Sequence, residues 1–484
     1  MKDEESPVTV FLSILGNPLL RFLIRFSGKV RLEDGKTFLE AAINDLAGEE
    51  DLSKHSLNRM FFSSIVQATV RLGCVAFNVE WKDAINSLRI PYFRKGLLNI
   101  LGGIGEYGVT RPISAPAPFL VVWNFTNACN LRCRHCYQRA DRPGPDELKT
   151  EECFQIVDQL DENNVSALAF SGGEPLARED FFDVAEYAHS RGLHVSVATN
   201  GTLLTKYAVS RMKEAGVDYV EVSLDGASKD THEFFRGVKG SFDATIRGIK
   251  NCVEGGIYTC IATTATKLNL QEIPKIIELA KSLGVERIIV FNFIPTGRGE
   301  EIANLDLSPE ERESLLKLLY KVTASGEIEA LSTAPQYSRV CLQQSHLSGL
   351  DLLSPTHFAA VTLHGRTKQL ADFIGGCGAG RLYCAIQPNG QVTPCVFMPI
   401  VVGDLRKQSL KEVWLKSKVL RELRDRSMLE GRCGHCKYKY VCGGCRARAY
   451  AYYGDYLAPD PGCIREVEEP SIQFSRRIKV ELIA

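Results

Sequence analysis

Three cysteines follow one another closely in the stretch FTNACNLRCRHCYQRAD, residues 125–141: Cys129, Cys133 and Cys136. A structural zinc site takes four protein ligands, usually from CxxC pairs. A redox dithiol would leave the third cysteine without a task. The third interpretation is an iron–sulfur cluster that is held through three irons, with one iron open to an exogenous ligand. An open iron is a place where a small molecule binds and accepts an electron.

A second group of cysteines occupies the C-terminal part of the chain. Its eight thiols are enough for two four-ligand clusters. A pair of zinc ribbons is the alternative, because CxxC pairs are common in those folds, but the first three of these cysteines form no such pair. The eight are Cys377, Cys384, Cys395, Cys433, Cys436, Cys442, Cys445 and Cys463. The other five of the 16 cysteines are interpreted as small buried hydrophobes: Cys74, Cys153, Cys252, Cys260 and Cys341.

From residue 120 onward, short β-rich runs alternate with amphipathic helices such as 152–162 and 181–190. This alternation predicts parallel βαβ units, and their even spacing favours a partial barrel of six units. Capping boxes are predicted at 269–272 and 308–311. Chemistry in such barrels collects at the C-terminal ends of the strands, and the cysteine triplet follows the first strand directly. The predicted strands are 120–125, 167–170, 194–198, 219–223, 259–264 and 287–293.

Short polar motifs follow several of these strands: SGGEP at 171–175, TNG at 199–201, SLDG at 223–226 and PTGRG at 295–299. Paired glycines let the backbone approach a ligand closely. The Glu174 carboxylate can accept hydrogen bonds from an ammonium group, and the TNG side chains suit a ribose or a carboxylate. Each motif alone is compatible with an ordinary turn. Together, in order, they indicate a ligand site on the rim of the barrel.

The C-x3-C-x2-C loop and the strand-end motifs resemble the radical S-adenosylmethionine superfamily. The resemblance implies that the cofactor's amine and carboxylate chelate the fourth iron, and that one electron cleaves the sulfonium to a 5′-deoxyadenosyl radical that abstracts hydrogen from a substrate. It implies an electron donor such as ferredoxin or flavodoxin. By the same resemblance, the GGE motif would hold the methionine amine, and Ser223 and Asp225 would face the ribose. Arg236 would pair with the carboxylate, and 295–299 would run along the adenine. The implied cofactor-binding residues are Gly172, Gly173, Glu174, Pro175, Thr199, Asn200, Ser223, Asp225 and Arg236.

The C-terminal cysteines resemble the SPASM extension of peptide-modifying radical enzymes. Cys377, Gly390 and Cys395 fit the first half of that motif, although two residues separate Cys442 and Cys445 where the family usually has three. The resemblance implies two further [4Fe–4S] clusters, which makes three in all. The nearer would bind Cys377, Cys384, Cys395 and Cys445, and the outer Cys433, Cys436, Cys442 and Cys463. The segment 385–395 is predicted to form a hairpin with an Asn-Gly turn.

Composition narrows the class of protein further. The 484 residues contain 58 basic and 58 acidic side chains and are 45% hydrophobic, without the basic surface of a nucleic-acid binder. No secretory signal is recognised at the start, so a cytoplasmic location is expected. Gly16, Pro18 and Arg21 interrupt the apolar run 8–26, which argues against a membrane-spanning helix. We expect this run to pack on the barrel rather than lie on a membrane surface.

The chain is therefore predicted to have a helical region of unknown role (1–115), a barrel (116–330), a bridging region (331–376), a cluster domain (377–466) and a tail (467–484). The expected activity is hydrogen abstraction from a substrate. The resemblance favours a peptide or protein side chain, because the C-terminal extension is common in peptide maturases. Tetrapyrrole side-chain oxidation and lipid modification are the alternatives, and an iron–sulfur electron carrier or scaffold is the non-enzymatic one. A carrier would not need the GGE and SLDG strand ends.

Overall fold

The computed structural model describes residues 6–48, 56–349, 351–355 and 360–465, so the predicted tail lies outside the described residues. The predicted helical character of the N-terminal region is confirmed. Its helices pack around a small core of their own, which contains Ile24, Ile43, Val66 and Leu101. The helices are α1 (Pro7–Gly16), α2 (Pro18–Ser27), α3 (Phe38–Ala47), α4 (Leu57–Phe77), α5 (Trp81–Leu88) and α6 (Pro91–Tyr107).

All six predicted barrel strands are present and run parallel to one another in chain order, as the βαβ pattern indicates. They are β1 (Leu120–Thr126), β2 (Ala167–Gly172), β3 (His194–Thr199), β4 (Val217–Ser223), β5 (Tyr258–Ala265) and β6 (Arg287–Asn292). The helices between them are α7 (Thr150–Glu162), α8 (Phe181–Ser190), α9 (Lys206–Glu214), α10 (Lys229–Arg236), α11 (Ser241–Glu254) and α12 (Ile273–Ser282).

One of the two predicted capping boxes is correct. Ser308 and Glu311 cap α13 (Pro309–Ser325) reciprocally. The box at 269–272 is wrong, because the Asn269 side chain turns back to accept from the Thr266 amide. The Glu272 carboxylate accepts instead from the Ala227 amide, so it ties the loop after β4 to α12.

The sheet continues beyond the six predicted strands at both edges. On one side β7 (Glu329–Ser332) pairs in parallel with β6. On the other, β10 (Tyr383–Ile386) pairs in parallel with β1 and begins the predicted hairpin. The cysteine-rich region therefore shares one ten-stranded sheet with the barrel. The remaining elements are α14 (Gln336–Ser348), β8 (Leu352–Pro355), β9 (Ala360–Leu363), α15 (Ala371–Ile374), β11 (Gln391–Thr393), β12 (Gly403–Asp404), α16 (Leu410–Lys416), α17 (Lys418–Arg424), α18 (Gly431–His435) and α19 (Arg446–Tyr453).

The inside of the barrel is hollow. Along β2 and β3 the outward positions are large and buried in the main core, for example Leu168 and Phe170. Apart from His194 at the start of β3, the inward positions on these two strands are small: Ala167, Ala169, Ser171, Ser196 and Ala198. Barrels of this type usually fill their interior with branched side chains. The small residues leave room for a cavity instead.

Candidate active site

The cysteine triplet lies on the loop that follows β1, and the end of α10 straps this loop in place. The Arg132 amide donates to the Arg236 carbonyl at 3.0 Å, and the Arg134 amide donates to the Phe235 carbonyl at 2.9 Å. All three cysteines line the cavity. The Leu131 amide points at Cys129 Sγ at 3.4 Å. Burial raises the pKa of Cys129 to about 11, and this donor acts in the opposite direction by favouring the thiolate, which is the form that binds a cluster.

The paired glycines at the end of β2 allow a very close approach to this loop. A Cβ atom on Gly173 would lie 2.1 Å from the Ala128 carbonyl oxygen. Gly172 has a φ of +113°, a conformation that side-chain-bearing residues rarely adopt. The Gly173 amide donates to the Thr126 carbonyl at 2.7 Å. The GGE motif therefore fixes the strand end against the cysteine loop, and its two glycines face the cavity.

The Glu174 carboxylate forms hydrogen bonds to the end of β3 and to the loop that follows it. It is fully buried and is not among the side chains that line the cavity. Its two oxygens accept at 2.8 Å from the Thr199 hydroxyl and from the Asn200 amide. Burial raises the pKa of Glu174 to about 7, although these donors act in the opposite direction. The carboxylate thus joins the ends of β2 and β3, and its contact with the cofactor amine stays a prediction.

Asp225 is likewise not among the side chains that line the cavity, and its contact with the ribose stays a prediction. Its Oδ2 lies 2.7 Å from Arg236 Nη2, and its Oδ1 accepts from the Thr264 amide at 2.8 Å. Burial alone would raise the pKa of Asp225, but Arg236 and His135 overcome this and hold it below its usual value. Asp225 thus positions Arg236, which lines the cavity.

Six of the nine predicted cofactor residues line the cavity: Gly172, Gly173, Thr199, Asn200, Ser223 and Arg236. Arg236 is buried, its Nη1 approaches Cys133 Sγ at 3.6 Å, and its Nε has no partner. A buried cation with an unused donor beside three thiols fits an anionic iron–sulfur cluster and a bound carboxylate. The residues present therefore suit the cluster and the cofactor that the family resemblance implies.

Sequence reasoning missed Arg298, which clamps the cysteine loop from the end of β6. Its amide donates to the Cys136 carbonyl at 2.9 Å. Its guanidinium donates to the Cys133 and Ala140 carbonyls at 2.9 and 3.0 Å. The glycines of PTGRG indicate a close backbone approach, which is predicted from the sequence to be an approach to the adenine. The observed approach is to the cysteine loop, since a Cβ atom on Gly297 would lie 2.3 Å from the Tyr137 carbonyl oxygen.

The cavity has a volume of about 1050 Å³ and walls that are mostly apolar. It runs from the cysteine loop through the barrel to the N-terminal helices, where Phe11 of α1 and Phe77 of α4 line it. Near the other ends of the strands it meets Glu221 and Arg287. Burial raises the pKa of Glu221 to about 7, against the attraction of Arg287. Small-molecule sites commonly measure about 300–1,000 Å³, so this cavity has room for a cofactor and a substrate together.

The C-terminal cysteines separate into two groups. Cys377, Cys395 and Cys445, here called the inner group, line a small cavity of about 20 Å³ that shares Asn292, Ile294 and Phe397 with the large one. The outer group contains Cys433, Cys436, Cys442 and Cys463. Burial first, and then the neighbouring Cys463, raises the pKa of Cys442. Beside both groups lies the buried Arg426, whose Nε and Nη1 have no partner, and such a cation suits the negative charge of iron–sulfur clusters.

Cys384 does not lie with the other members of its predicted set. It is fully buried in the main core, on the face of β10 that packs with Val121 and Trp414. Its neighbour Tyr383 points to the opposite face and donates to Cys395 Sγ at 2.8 Å. Successive residues of a strand alternate between faces, so these two side chains cannot both reach the inner group. The structure therefore corrects the predicted role of Cys384 as a ligand of the nearer cluster, because this thiol faces the main core.

We expect the Cys384→Ala variant to keep the iron content of the wild-type protein, because this thiol faces the core and not the inner group. Loss of its sulfur should cost about 1 kcal/mol in the free energy of unfolding. The matched Cys395→Ala variant should lose iron. Iron per chain after reconstitution distinguishes the two variants. An equal loss of iron from both would return Cys384 to the ligand set.

Comparison with known proteins agrees with this geometry. The model of the Radical SAM superfamily matches residues 123–280, and that of the iron-sulfur cluster-binding SPASM domain matches 377–445. The AdoMet-dependent heme synthase of Methanosarcina barkeri is 41% identical over 350 residues, 72% of this chain and 97% of that protein. Mycofactocin maturase MftC of Mycolicibacterium smegmatis is 30% identical over 369 residues, 74% of this chain and 86% of that protein.

Among solved structures, Streptococcus suis SuiB bound to S-adenosylmethionine has a similar fold. It superposes with a TM-score of 0.61 at 16% identity, over 90% of this chain and 93% of that chain. The cysteine loop and the strand-end motifs from Ser171 to Gly226 fall within the first matched region, and seven of the eight C-terminal cysteines fall within the second, which ends before Cys463. The chain belongs to the radical SAM superfamily of enzymes and carries a C-terminal SPASM domain.

Proposed function

We propose that this protein is an oxidoreductase that abstracts hydrogen from a side chain of a tetrapyrrole bound in the barrel cavity. The observation that carries this proposal is the cavity itself, whose walls are mostly apolar and whose few charged groups lie at its ends. A tetrapyrrole has the matching chemistry, with a large apolar ring and ionised carboxylates at its periphery. The similarity to a heme synthase over 97% of that relative's length supports the same substrate class.

The proposed chemistry needs one bound group. A [4Fe–4S] cluster with S-adenosylmethionine would supply a 5′-deoxyadenosyl radical beside Cys129, Cys133 and Cys136. The residues of this chain prepare the site for it. Arg298 and the end of α10 hold the cysteine loop, while Gly172 and Gly173 bring backbone groups close to it. The walls limit access of other molecules that would otherwise react with a radical.

Of the arginines that line the cavity, Arg298 donates to the cysteine loop and Arg236 pairs with Asp225. Arg287, which also contacts Glu329, is therefore the one proposed to orient a substrate carboxylate. Arg236 and Arg298 lie beside the cysteine loop, and Arg287 lies at the far end of the strands. Arg287 is held over the rings of Tyr219 and Tyr258, at 5.8 and 5.4 Å from their centroids. A guanidinium pairs with a carboxylate through two parallel hydrogen bonds. In this proposal the apolar ring contacts the walls and a substrate carboxylate contacts Arg287.

A peptide side chain is the second candidate substrate. It is the substrate class that the C-terminal cysteine pattern favoured, and the similarity to a mycofactocin maturase supports it. The enclosed site ranks it second, because the barrel strands and the N-terminal helices both form walls of the cavity. A flexible peptide would also lose more conformational entropy than a rigid ring on entering such a space.

The test measures 5′-deoxyadenosine formed by the reconstituted enzyme under dithionite. Iron coproporphyrin III is the probe, with an unstructured peptide of similar net charge as the control. We expect the tetrapyrrole to increase the yield of 5′-deoxyadenosine and to lose mass in a new product, and the peptide to do neither. Binding is followed separately through the absorbance of the tetrapyrrole. No binding and no increase would contradict the proposed substrate class.

A further inference from the structure

The N-terminal helices expose a continuous apolar surface on α2 and α4, here called the aromatic patch. Its members are Leu19, Phe22, Phe26, Leu57, Met60 and Phe61, with exposures from 43% to 85%. The rings touch in series through the buried Phe62. Phe22 stacks on Phe26 at 6.2 Å, Phe26 on Phe62 at 5.8 Å, and Phe61 meets Phe62 edge-on at 5.4 Å. Large contiguous patches of this kind mark interaction surfaces.

The patch continues along the whole of α4. Leu72 and Val75 are 44% and 72% exposed, and only 28% of the most apolar 18 residues of this 21-residue helix are buried. A core helix would be mostly buried. The buried side of α4 contains Phe62, Val66, Thr69 and Ala76 and packs within the helical region. One face of α4 is therefore held by the protein, while its opposite face presents apolar side chains to the surroundings.

Within the two segments that carry the patch every charged side chain is positive, although Glu33, Asp34 and Glu80 directly adjoin them. The segments 7–32 and 57–79 contain no acidic residue, and their cations are Arg21, Arg25, Lys29, Arg31, Arg59 and Arg71. Two carboxylates from neighbouring helices pair with some of them. Glu106 contacts Arg25 and Lys29, and Asp45 contacts Arg59. The surface combines exposed aromatic and aliphatic side chains with an excess of cations, which is the composition that binds an anionic lipid surface.

We infer that α2 and α4 seat this enzyme on the surface of an anionic lipid bilayer, with the aromatic patch inserted among the lipid head groups. This seat is peripheral, because the packed face of α4 stays in the protein. Helix α4 also forms part of the end of the cavity, where its Val70 and Phe77 line it. A bilayer at the outer face of α4 therefore lies next to the cavity's far end. The inference goes beyond the proposed function and does not depend on it.

This seat differs from the expectation drawn from the sequence, which had residues 8–26 packed on the barrel. The structure packs α2 against α6 and α3 of the helical region, where Ile24 joins Leu39 and Leu101 in a separate core. The opposite face of α2 carries Leu19, Phe22 and Phe26. Because the face of α2 that carries Leu19, Phe22 and Phe26 does not pack on the barrel, it is exposed and can contact lipid.

The test is flotation of the reconstituted full-length enzyme with vesicles of phosphatidylcholine and phosphatidylglycerol. The variant Leu19→Ser, Phe22→Ser, Phe61→Ser should bind these vesicles at least about tenfold more weakly, since each inserted side chain contributes apolar burial. The control variant Tyr207→Ser, Leu347→Ser, Val401→Ser removes three residues that are also exposed, at 69%, 81% and 54%, but lie outside the patch. It should bind like wild type. Wild-type binding should weaken on vesicles of phosphatidylcholine alone.

Three results would overturn the inference. They are wild-type enzyme that fails to float, a patch variant that floats as well as wild type, and a wild-type dimer that the patch variant converts to monomers without any vesicle binding. The third result would assign the patch to a second copy of the chain. Formation of 5′-deoxyadenosine is measured in every sample. It tests the proposed chemistry separately, because none of the patch residues lines the cavity.

Discussion

Replacing Cys129, Cys133 and Cys136 together with alanine is expected to reduce cleavage of S-adenosylmethionine to the background level. These thiols line the cavity beside Arg236, and no other cysteine in the described residues lines it. Without them no cluster can form where the cofactor would bind. The measurement is 5′-deoxyadenosine formed under dithionite, with circular dichroism to show that the variant is folded.

The control for this variant removes three other thiols. Cys252, Cys260 and Cys341 are fully buried and lie in the main core. Changing these three to alanine creates small cavities and should lower stability, but cleavage activity should remain. If the folded variant of the cysteine loop still forms 5′-deoxyadenosine at the wild-type rate, the assignment of that loop to the reactive cluster is wrong.

Changing Cys433, Cys436 and Cys442 to alanine is expected to abolish turnover of the substrate while leaving cleavage of S-adenosylmethionine intact. None of the four cysteines of the outer group lines the large cavity or the small one. Dithionite can deliver an electron to the barrel from solution, so uncoupled cleavage should continue. Substrate turnover should stop, because we expect the outer group to hold a cluster that conducts an electron between the active site and its partner.

Iron per chain and 5′-deoxyadenosine yield are measured together in this variant. We expect the iron of one cluster to be lost. Full iron content would show that these cysteines are not ligands, and normal substrate turnover would remove their proposed role in electron transfer. Aggregation with loss of all iron would instead indicate a structural role, since the Cys377 amide and the Cys442 carbonyl join the two groups through the backbone at 3.0 Å.

The sequence predicted those parts of the structure that depend on local pattern. Alternation of strands and helices predicted all six barrel strands, whereas the GG pair predicted an approach to a ligand and the structure shows an approach to the cysteine loop. The sequence did not predict the partners of Glu174, because Thr199 and Asn200 reach this carboxylate only when two strand ends meet. The ion pair between Asp225 and Arg236 was missed for the same reason, since Arg236 comes from the following helix.

The alternation of faces along a strand could have shown that Cys384 is not a ligand. Tyr383 and Cys384 are adjacent in a strand, so only one of them can face the inner group. By contrast, strand β7 was missed because short strands carry little periodicity, and the predicted hairpin gave no sign that β10 pairs with β1. The sheet they complete depends on partners that are distant in the chain. Exposure of the aromatic patch was likewise beyond the sequence, because an apolar stripe predicts a buried face without saying which neighbour covers it.

The pairing of β1 with β10 affects how the molecule is made. This edge of the sheet cannot be completed until residue 383, the partner of residue 120, has been synthesised. At a rate of synthesis of about 5–20 residues per second, this takes on the order of tens of seconds. Meanwhile the nascent barrel has an unpaired edge at β1, the kind of edge that recruits other chains. Such non-local pairing also slows folding. A fragment that ends before residue 377 would keep this edge permanently, so we expect it to aggregate rather than behave as an autonomous barrel.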